Sequence, residues 1–316
     1  MAESTKTNQN LVDQQKVEKK LSGRLSTNKF NKWAFFVCTL IGLVVLAVLI
    51  IHTLIEGVGH LTPDFFTNFS SSTPSMAGIK GALVGTIWLM ITIIPISIIL
   101  GVGTAIYLEE YAKDNAFTNF VKVSISNLAG VPSVVFGLLG LTIFVRGMGI
   151  PALGLGNSII AAALTMSLLI LPVIIVAAQE AIRAVPSSVR EASYALGGNK
   201  WQTIRRVVLP AATPGILTGF ILALSRALGE TAPLILIGIP TILLRLPSSI
   251  FDQFQALPMQ IYNWTKQPQD EFQNVASAGI IVLLVILLLM NAIAIFLRNK
   301  YLSLIHISEP TRLGMI

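Results

Sequence analysis

The sequence is poor in charged residues, in cysteine and in histidine. Only 12% of its 316 residues are charged, about half the share of an ordinary soluble domain, whereas 53% are hydrophobic. This composition excludes a large soluble core and predicts a protein with several membrane spans. The single cysteine, Cys38, cannot form an internal disulfide. With three histidines and this one cysteine, the chain has no cluster with the spacing of metal ligands, so we predict no metal site.

Several functional signatures are also missing. The chain has no GxxxxGK[ST] phosphate loop, because the run Gly197-Gly198-Asn199-Lys200 is too short and is followed by Trp201. No nucleophile–base signature of a hydrolase is present. We therefore expect a chain that is not an enzyme, has no ATP site of its own and carries no cofactor. A basic stripe with interleaved aromatic residues is absent, so the net charge of +7 does not indicate nucleic-acid binding.

Six apolar stretches are long enough to cross a membrane, since a helical span needs about 20 residues. They predict an all-α membrane protein with spans at residues 33–55, 82–107, 121–145, 158–178, 211–238 and 275–297. The third span contains Gly130 and Pro132. We interpret this run as a simple kink. The alternative is a broken helix whose backbone amides line a pathway.

The distribution of Lys and Arg predicts the orientation. With the N-terminus inside, 17 of the 22 fall on the inner side, four fall outside and Arg226 lies within a span. Because cationic residues gather on the cytoplasmic side, both termini of this multi-pass chain are expected in the cytoplasm. Residues 1–32 are polar and are predicted to form a mobile cytoplasmic tail beside membrane lipid. From about residue 303 to 316 the sequence resembles translated adapter read-through, so no function is assigned to it.

A basic segment, residues 183–210, separates two apolar runs. We call it the basic loop, and its cations are Arg183, Arg190, Lys200, Arg205 and Arg206. Glu191-Ala192-Ser193 is followed by Gly197 and later by Leu209-Pro210. This spacing predicts two short helices separated at Gly197-Gly198, because glycine permits a reversal of the backbone. A helix lying along the membrane face can dock in a groove of a cytoplasmic subunit, and we interpret the segment in this way. The alternative is an ordinary amphipathic interfacial loop.

The fifth span contains two charged residues. At 1.5 Å per residue, Arg226 is expected about 20 Å beyond the basic loop, near mid-membrane, with Glu230 one turn later on the same face. A charge at that depth costs about 3 kcal/mol or more, and such groups usually mark a substrate pathway. Ser225 and Gly229 add a small, polar surface. Since a guanidinium matches the oxygens of an oxyanion, we predict an anion pathway. The alternative is a purely structural Arg226–Glu230 ion pair.

These motifs resemble those of a known family. The basic loop is similar to the EAA loop of ATP-binding-cassette (ABC) importer permeases, with Ser193 and Val207 as departures. The runs VPSVVFGLLG, LSRALGETAPLILIG and QIYNWTKQPQDEFQNVASAGIIVLLVILLLMNAIAIFLRNKY resemble PstA-type permeases of phosphate ABC importers. The resemblance covers most of residues 33–302 and implies a permease domain there. It implies the type I, MetI-like importer fold with six transmembrane helices.

The resemblance also implies partners and roles. The expected partners are a homologous permease of the PstC type, a cytoplasmic ABC ATPase dimer and an external phosphate-binding protein. Phosphate would cross the cytoplasmic membrane by alternating access. Arg226, Glu230 and Ser225 are the implied pathway residues. The implied ATPase contacts are Glu191, Ala192, Gly197, Leu209 and Pro210.

Two other functions are consistent with the residues. A permease of the same architecture for molybdate or sulfate would share the EAA-type loop. A secondary transporter driven by an ion gradient would need no ATPase. That class is typically built from inverted repeats, and the sequence shows no clear internal repeat.

Overall fold

The computed structural model describes the backbone of residues 14–306 and the side chains of residues 25–299 apart from 152 and 297. Within this part every regular element is helical, as predicted. The chain divides into two compact units at residues 55 and 56. In chain order the α-helices are α1 Gln14–Gly57, α2 Pro63–Thr67, α3 Lys80–Ile106, α4 Ala116–Leu128, α5 Ser133–Gly140, α6 Ile159–Arg183, α7 Ser187–Ala195, α8 Lys200–Thr203, α9 Leu209–Gly229, α10 Ala232–Ile237, α11 Leu257–Thr265 and α12 Glu271–His306.

Within the described part of the chain, five helical segments are long and apolar enough to cross a membrane, judged by length and composition. They are Leu25–His60, Lys80–Tyr111, Ile159–Arg183, Lys200–Gly229 and Glu271–Phe296. A sixth crossing exists if α4 and the segment Ser133–Val145 are counted together as one span. The predicted number of six spans holds on that count.

The third predicted span is broken rather than kinked. Its two halves, α4 and Ser133–Val145, meet at 104° across residues 129–132, so the prediction of a simple kink is wrong. Pro132 has no backbone N–H and takes an extended conformation with φ −56° and ψ 138°. The residue before a proline also disfavours the helical conformation. No side chain caps α5. The Val135 N–H donates a 3.0 Å hydrogen bond to the Pro132 carbonyl, which leaves the N–H groups of Ser133 and Val134 without a partner among the described residues.

The fifth predicted span is also interrupted, so the prediction of a continuous helix over 211–238 is wrong. Helix α9 ends at Gly229, and Glu230 takes an extended conformation with φ −80° and ψ 119°. Pro233 favours an interruption here, because its ring would clash with the carbonyl of Gly229 in a continuous helix. Proline is instead well placed in the first turn of α10.

The two ends of the chain differ from the predicted tails in their backbone. Residues 14–32, predicted as part of a mobile tail, form the beginning of α1. The reason is local, since this stretch is rich in the good helix formers Gln, Lys, Glu and Leu. Helix α12 passes residue 302 and ends at His306. Residues 1–13 and 307–316 lie outside the described part.

The centre of the second unit is built from α3, α6 and α9. Helix α6 is buried along most of its length, and Ser97 of α3 donates a 3.2 Å hydrogen bond to Ser167 of α6. Helices α6 and α9 approach closely through small residues. A Cβ atom added to Gly215 would lie 2.7 Å from the Ala181 Cβ, and one added to Gly219 would overlap Ala177. Such small residues let membrane helices approach to backbone contact.

Replacing Gly219 with valine is expected to lower the stability of the folded chain by about 1–3 kcal/mol, because the new side chain would force α6 and α9 apart. Thermal unfolding of the purified protein measures the change. Gly103→Val in α3 is the matched control, since a Cβ atom there meets nothing within 4 Å. Equal unfolding midpoints for the two variants would contradict the close α6–α9 contact.

The loop before α11 closes the N-terminal end of α6. Ile159 and Ile160 donate backbone hydrogen bonds of 3.1 and 2.9 Å to the carbonyls of Asp252 and Ile250. The Asp252 carboxylate accepts bonds from the Ser248 N–H, the Ser248 hydroxyl and the Ser249 N–H, which hold the pKa of this exposed side chain below its usual value. The turn thereby fixes the beginning of α6, whose first residues are otherwise without helical partners.

Candidate functional site

The basic loop reverses at Gly197-Gly198, as predicted, but only α7 is a separate short helix. The prediction of a second short helix is wrong, because α8 continues without a break into α9 as one helix, Lys200–Gly229. Helix α7 ends at Ala195, and Gly197 then takes a left-handed conformation with φ +83°. The Gly197 N–H donates a 2.9 Å hydrogen bond to the Tyr194 carbonyl. Helix α8 begins directly after Asn199, which forms a capping box with Gln202. The Asn199 side chain accepts a bond from the Gln202 N–H, and the Gln202 side chain accepts one from the Asn199 N–H. The glycine therefore permits the reversal that separates the two helices.

The two helices border an open groove of about 440 Å³. It is lined by Val189, Ala192, Ser193, Leu196, Gly197, Gly198, Gln202, Arg206 and Val207. Leu196 is 90% exposed at its rim, which leaves a large apolar side chain in contact with solvent. Of the predicted contact residues, Ala192 and Gly197 line the groove, and Glu191 is exposed on α7. Leu209 and Pro210 lie apart from the groove, in the first turn of α9.

The charged pair of the fifth span lies where α9 ends. Arg226 Nε is 3.5 Å from Glu230 Oε1, and the two side chains are 39% and 22% exposed. Among the described residues, the two terminal nitrogens of the Arg226 guanidinium make no hydrogen bond. The Arg226 side chain is therefore tethered through one nitrogen and keeps its outer edge open to a further partner.

A second polar pair flanks Arg226. The Ser225 hydroxyl lies 2.7 Å from Asn291 Oδ1 and 2.9 Å from the Ile221 carbonyl oxygen. Asn291 belongs to α12, so this contact joins α9 to the last span. The two pairs give the end of α9 a polar face between otherwise apolar helices.

The contacts between α6 and α9 fix the level of Arg226. Gly215 faces Ala181 and Gly219 faces Ala177, so the two helices run antiparallel. Extending this register by seven residues on each helix places Arg226 level with Ile170. Ile170 is near the middle of α6, about 20 Å from Arg183 at 1.5 Å per residue. The charge thus lies halfway along a helix of spanning length.

The start of α5 lies at the same level. A Cβ atom on Gly140 would overlap the Thr165 side chain. The chain after α5 runs toward the N-terminal end of α6, where the Gly156 N–H donates a 3.2 Å hydrogen bond to the Val145 carbonyl. Counting from this Gly140–Thr165 contact, seven residues back along α5 and seven residues forward along α6 bring Ser133 level with Pro172. The interruption at 129–132 and the Arg226 side chain are therefore within about 3 Å of each other along the axis of α6.

Helix α10 accompanies α5 away from this level. A Cβ atom on Gly137 would lie 2.8 Å from Pro233 Cα, and Asn157 donates a 2.8 Å hydrogen bond to the Gly238 carbonyl near the start of α6. The interruptions before α5 and before α10 therefore both lie at the level of Arg226. From there, α5 and α10 continue toward the N-terminal end of α6.

Sequence reasoning missed three residues at these sites. Asn291 is a lone amide in the apolar run VLLVILLLMNAIAIF, which was the available signal. Glu109 and Glu110 lie in the π-helical turn Tyr107–Tyr111 that follows α3, and their signal was a pair of adjacent carboxylates directly after an apolar run. Within the described residues, no group of three His, Cys, Asp or Glu side chains is arranged to hold a metal ion.

Comparisons with known proteins place the fold. Residues 93–302 match the model of the binding-protein-dependent transport system inner membrane component family. The chain is 33% identical to the probable ABC transporter permease protein YqgI of Bacillus subtilis, over 88% of this chain and 95% of that protein. It is 31% identical to the phosphate transport system permease protein PstA of Yersinia pestis, over 90% of this chain and 94% of that protein.

A solved structure has the same fold. It is a bacterial alginate ABC transporter in complex with an alginate pentasaccharide-bound periplasmic protein; the TM-score is 0.62 at 15% identity, over 85% of this chain and 93% of that chain. The family match covers about two thirds of the sequence and includes both helix interruptions, the basic loop and Arg226. The chain belongs to the family of binding-protein-dependent transport system inner membrane components, the permease subunits of ABC importers.

Proposed function

We propose that this chain is the permease subunit of an ATP-driven importer of inorganic phosphate. Relatives that align with most of the chain are phosphate transport system permeases, which supports phosphate as the cargo. The observation that carries an anion pathway is Arg226, a cation level with the middle of α6 and with the open start of α5. Charges at such a level usually face a pathway rather than lipid.

The arrangement suits a tetrahedral oxyanion. The open edge of the Arg226 guanidinium offers N–H groups that match two phosphate oxygens. The first turn of α5 presents the N–H groups of Ser133 and Val134 and the positive end of its dipole at the same level, while the Val135 N–H is bonded to the Pro132 carbonyl. Interrupted helices of this kind bind anions in other transporters. Ser225 and Glu230 flank the cation, and Asn291 is added to this set by its contact with Ser225.

The chain is proposed to act with three partners. They are a homologous permease of the PstC type, a dimer of a cytoplasmic ABC ATPase and an external phosphate-binding protein. The groove of the basic loop receives the ATPase, with Glu191, Ala192 and Gly197 at the contact and Leu209 and Pro210 at the adjoining start of α9. The chain carries neither an ATP site nor a cofactor, and both termini are cytoplasmic.

Transport follows from these contacts by alternating access. ATP binding closes the ATPase dimer, which moves the basic loop and reorients the helices attached to it. The part of the pathway around Arg226 first faces the outside, where the binding protein releases phosphate. It then faces the cytoplasm. No covalent bond of phosphate is made or broken.

The direct test is uptake of labelled phosphate into vesicles that contain this chain, the related permease and the ATPase, with binding protein outside. We expect uptake that requires ATP and is unaffected by an excess of sulfate or molybdate. Competition by either anion would assign the permease to another oxyanion. Uptake that persists without ATP and responds to an ion gradient would indicate a secondary transporter.

A further inference from the structure

The inner end of α3 carries two adjacent carboxylates in a π-helical turn, Tyr107–Tyr111. Their side chains are only 11% and 9% exposed, for Glu109 and Glu110 respectively. π-Helical turns often mark functional positions in helices. Two adjacent carboxylates that are mostly buried repel each other, and a cationic partner beside each one offsets that repulsion.

Glu109 is held by two other helices. Arg183, at the end of α6, approaches it to 2.8 Å, and Gln179 of α6 donates a 3.0 Å hydrogen bond. Lys122 in the middle of α4 lies 3.6 Å from the same carboxylate. Glu109 therefore connects α3 with α6 and with the helix that leads to the interruption at 129–132.

Glu110 is held by the basic loop itself. Arg190 of α7 lies 3.2 Å from Glu110, and the same guanidinium donates to the carbonyls of Val185 and Ile182. Arg190 directly precedes Glu191, the first residue of the proposed ATPase contact. In addition, Lys200 of α8 lies 4.9 Å from the centre of the Tyr111 ring. Both helices of the basic loop thus contact the Tyr107–Tyr111 turn.

The contact between Glu110 and Arg190 is largely shielded from water, with side chains 9% and 20% exposed, which makes it costly to break. Removing one partner of a buried ion pair leaves an uncompensated charge, whereas an exposed pair contributes little. Glu180 and Arg183 form such an exposed pair, 3.2 Å apart with side chains 65% and 54% exposed. A displacement of α7 would therefore move the turn after α3 with it, because separating Arg190 from Glu110 would leave the Glu110 carboxylate without a cationic partner.

We propose that Glu109 and Glu110 are positioning residues that make α3 and α4 follow the basic loop when the ATPase moves it. This inference rests on the proposed function, because it concerns how the motion reaches the pathway. The basic loop is covalently joined only to α6 and α9. The two carboxylates add a side-chain connection from α7 to α3, and from there through Lys122 to α4 and the break at 129–132, level with Arg226.

The first experiment compares Glu110→Gln with Glu180→Gln in the reconstituted complex. The two changes are chemically identical, but only the first breaks a contact between separate helices. We expect Glu110→Gln to lower the phosphate transported per ATP hydrolysed by about fivefold or more, the lower end of typical coupling between sites. Glu180→Gln is expected to keep the wild-type ratio. A folding defect would reduce transport and ATP hydrolysis together and leave this ratio unchanged.

The second experiment exchanges the charges. Glu110→Arg combined with Arg190→Glu keeps an ion pair of reversed polarity and is expected to recover at least half of the ratio lost in Glu110→Arg alone. If Glu110→Gln retains the wild-type ratio, or if the exchanged pair recovers nothing, the positioning role is refuted.

The third measurement does not depend on the cargo. Spin labels are placed at the exposed positions Lys113 and Ser188, in a Cys38→Ser background, and their separation is measured without nucleotide and with ATP. With Glu110 and Arg190 intact, we expect the distance between the two labels to be the same with and without ATP. In Glu110→Gln we expect this distance to change when ATP is added. A native separation that changes as much as in the variant would overturn the inference. Failure of wild-type vesicles to take up phosphate would instead count against the proposed function.

Discussion

Replacing Arg226 with alanine is expected to reduce ATP-driven phosphate uptake by roughly ten- to hundredfold. Hydrogen bonds to a charged group contribute about 1.5–3 kcal/mol, and each 1.4 kcal/mol corresponds to a factor of ten. The loss falls on transport because Arg226 is proposed to meet phosphate halfway across the membrane. Assembly of the permease with its ATPase should be unchanged, since the basic loop is about 20 Å or more away.

The control for this prediction is Arg245→Ala, which removes the same side chain from an exposed position on the loop before α11. Its uptake should equal that of the wild type. Arg226→Lys keeps the charge but loses the planar fork, so we expect uptake between those of the wild type and the alanine variant. Transport of phosphate at the wild-type rate by Arg226→Ala would remove this residue from the pathway.

A double replacement separates the pathway role from a structural ion pair. Arg226 lies 3.5 Å from Glu230, so a simple pair would be satisfied when both become leucine, because apolar replacements of buried pairs are often neutral. Under the structural role, Arg226→Leu with Glu230→Leu would transport phosphate normally. Under the pathway role we expect uptake to remain lost while the complex still assembles.

Features governed by short-range rules could be predicted from the sequence. The apolar runs predicted an all-α membrane protein, since length and hydropathy alone define a span. The reversal in the basic loop followed from the glycine pair at 197 and 198, and Gly197 indeed has φ +83°. The cap at Asn199 belongs to the same class of local signal. None of these features depends on where the rest of the chain lies.

The helix interruptions could not be predicted with the same rules. Proline is tolerated in membrane helices when neighbours satisfy the freed carbonyl, so Pro132 and Pro233 alone do not decide between a kink and a break. Pro95 and Pro172 lie within α3 and α6, which remain continuous helices. The outcome depends on packing against other helices, which the sequence does not reveal.

The long-range polar contacts were equally inaccessible. Ser225 and Asn291 are 66 residues apart in the chain, and Glu109 and Arg183 are 74 apart. Each residue taken alone resembles an ordinary polar side chain at the end or in the middle of a span. Only the three-dimensional arrangement assigns Asn291 to the Arg226 level and the two carboxylates to the basic loop.

Replacing Gly197 with proline is expected to lower phosphate uptake at least about tenfold while leaving the membrane part folded. Proline requires φ near −65°, whereas Gly197 has φ +83°, and it also removes the N–H that bonds to the Tyr194 carbonyl. Strain of this kind costs about 1–3 kcal/mol per residue. The chain relieves it by moving α7 relative to α8, which reshapes the groove that Gly197 lines.

Gly149→Pro is the matched control, because Gly149 also has a positive φ, +86°, but lies in the loop between α5 and α6, away from the groove. Both variants impose the same conflict in φ, so a folding defect caused by that conflict would affect them alike. We expect only Gly197→Pro to lose co-purification with the ATPase and ATP-driven uptake. Since Ala192 and Gly197 line one groove beside the exposed Leu196, a distorted turn removes several contacts at once. Retention of ATPase binding and uptake in Gly197→Pro would therefore move the docking surface away from this groove.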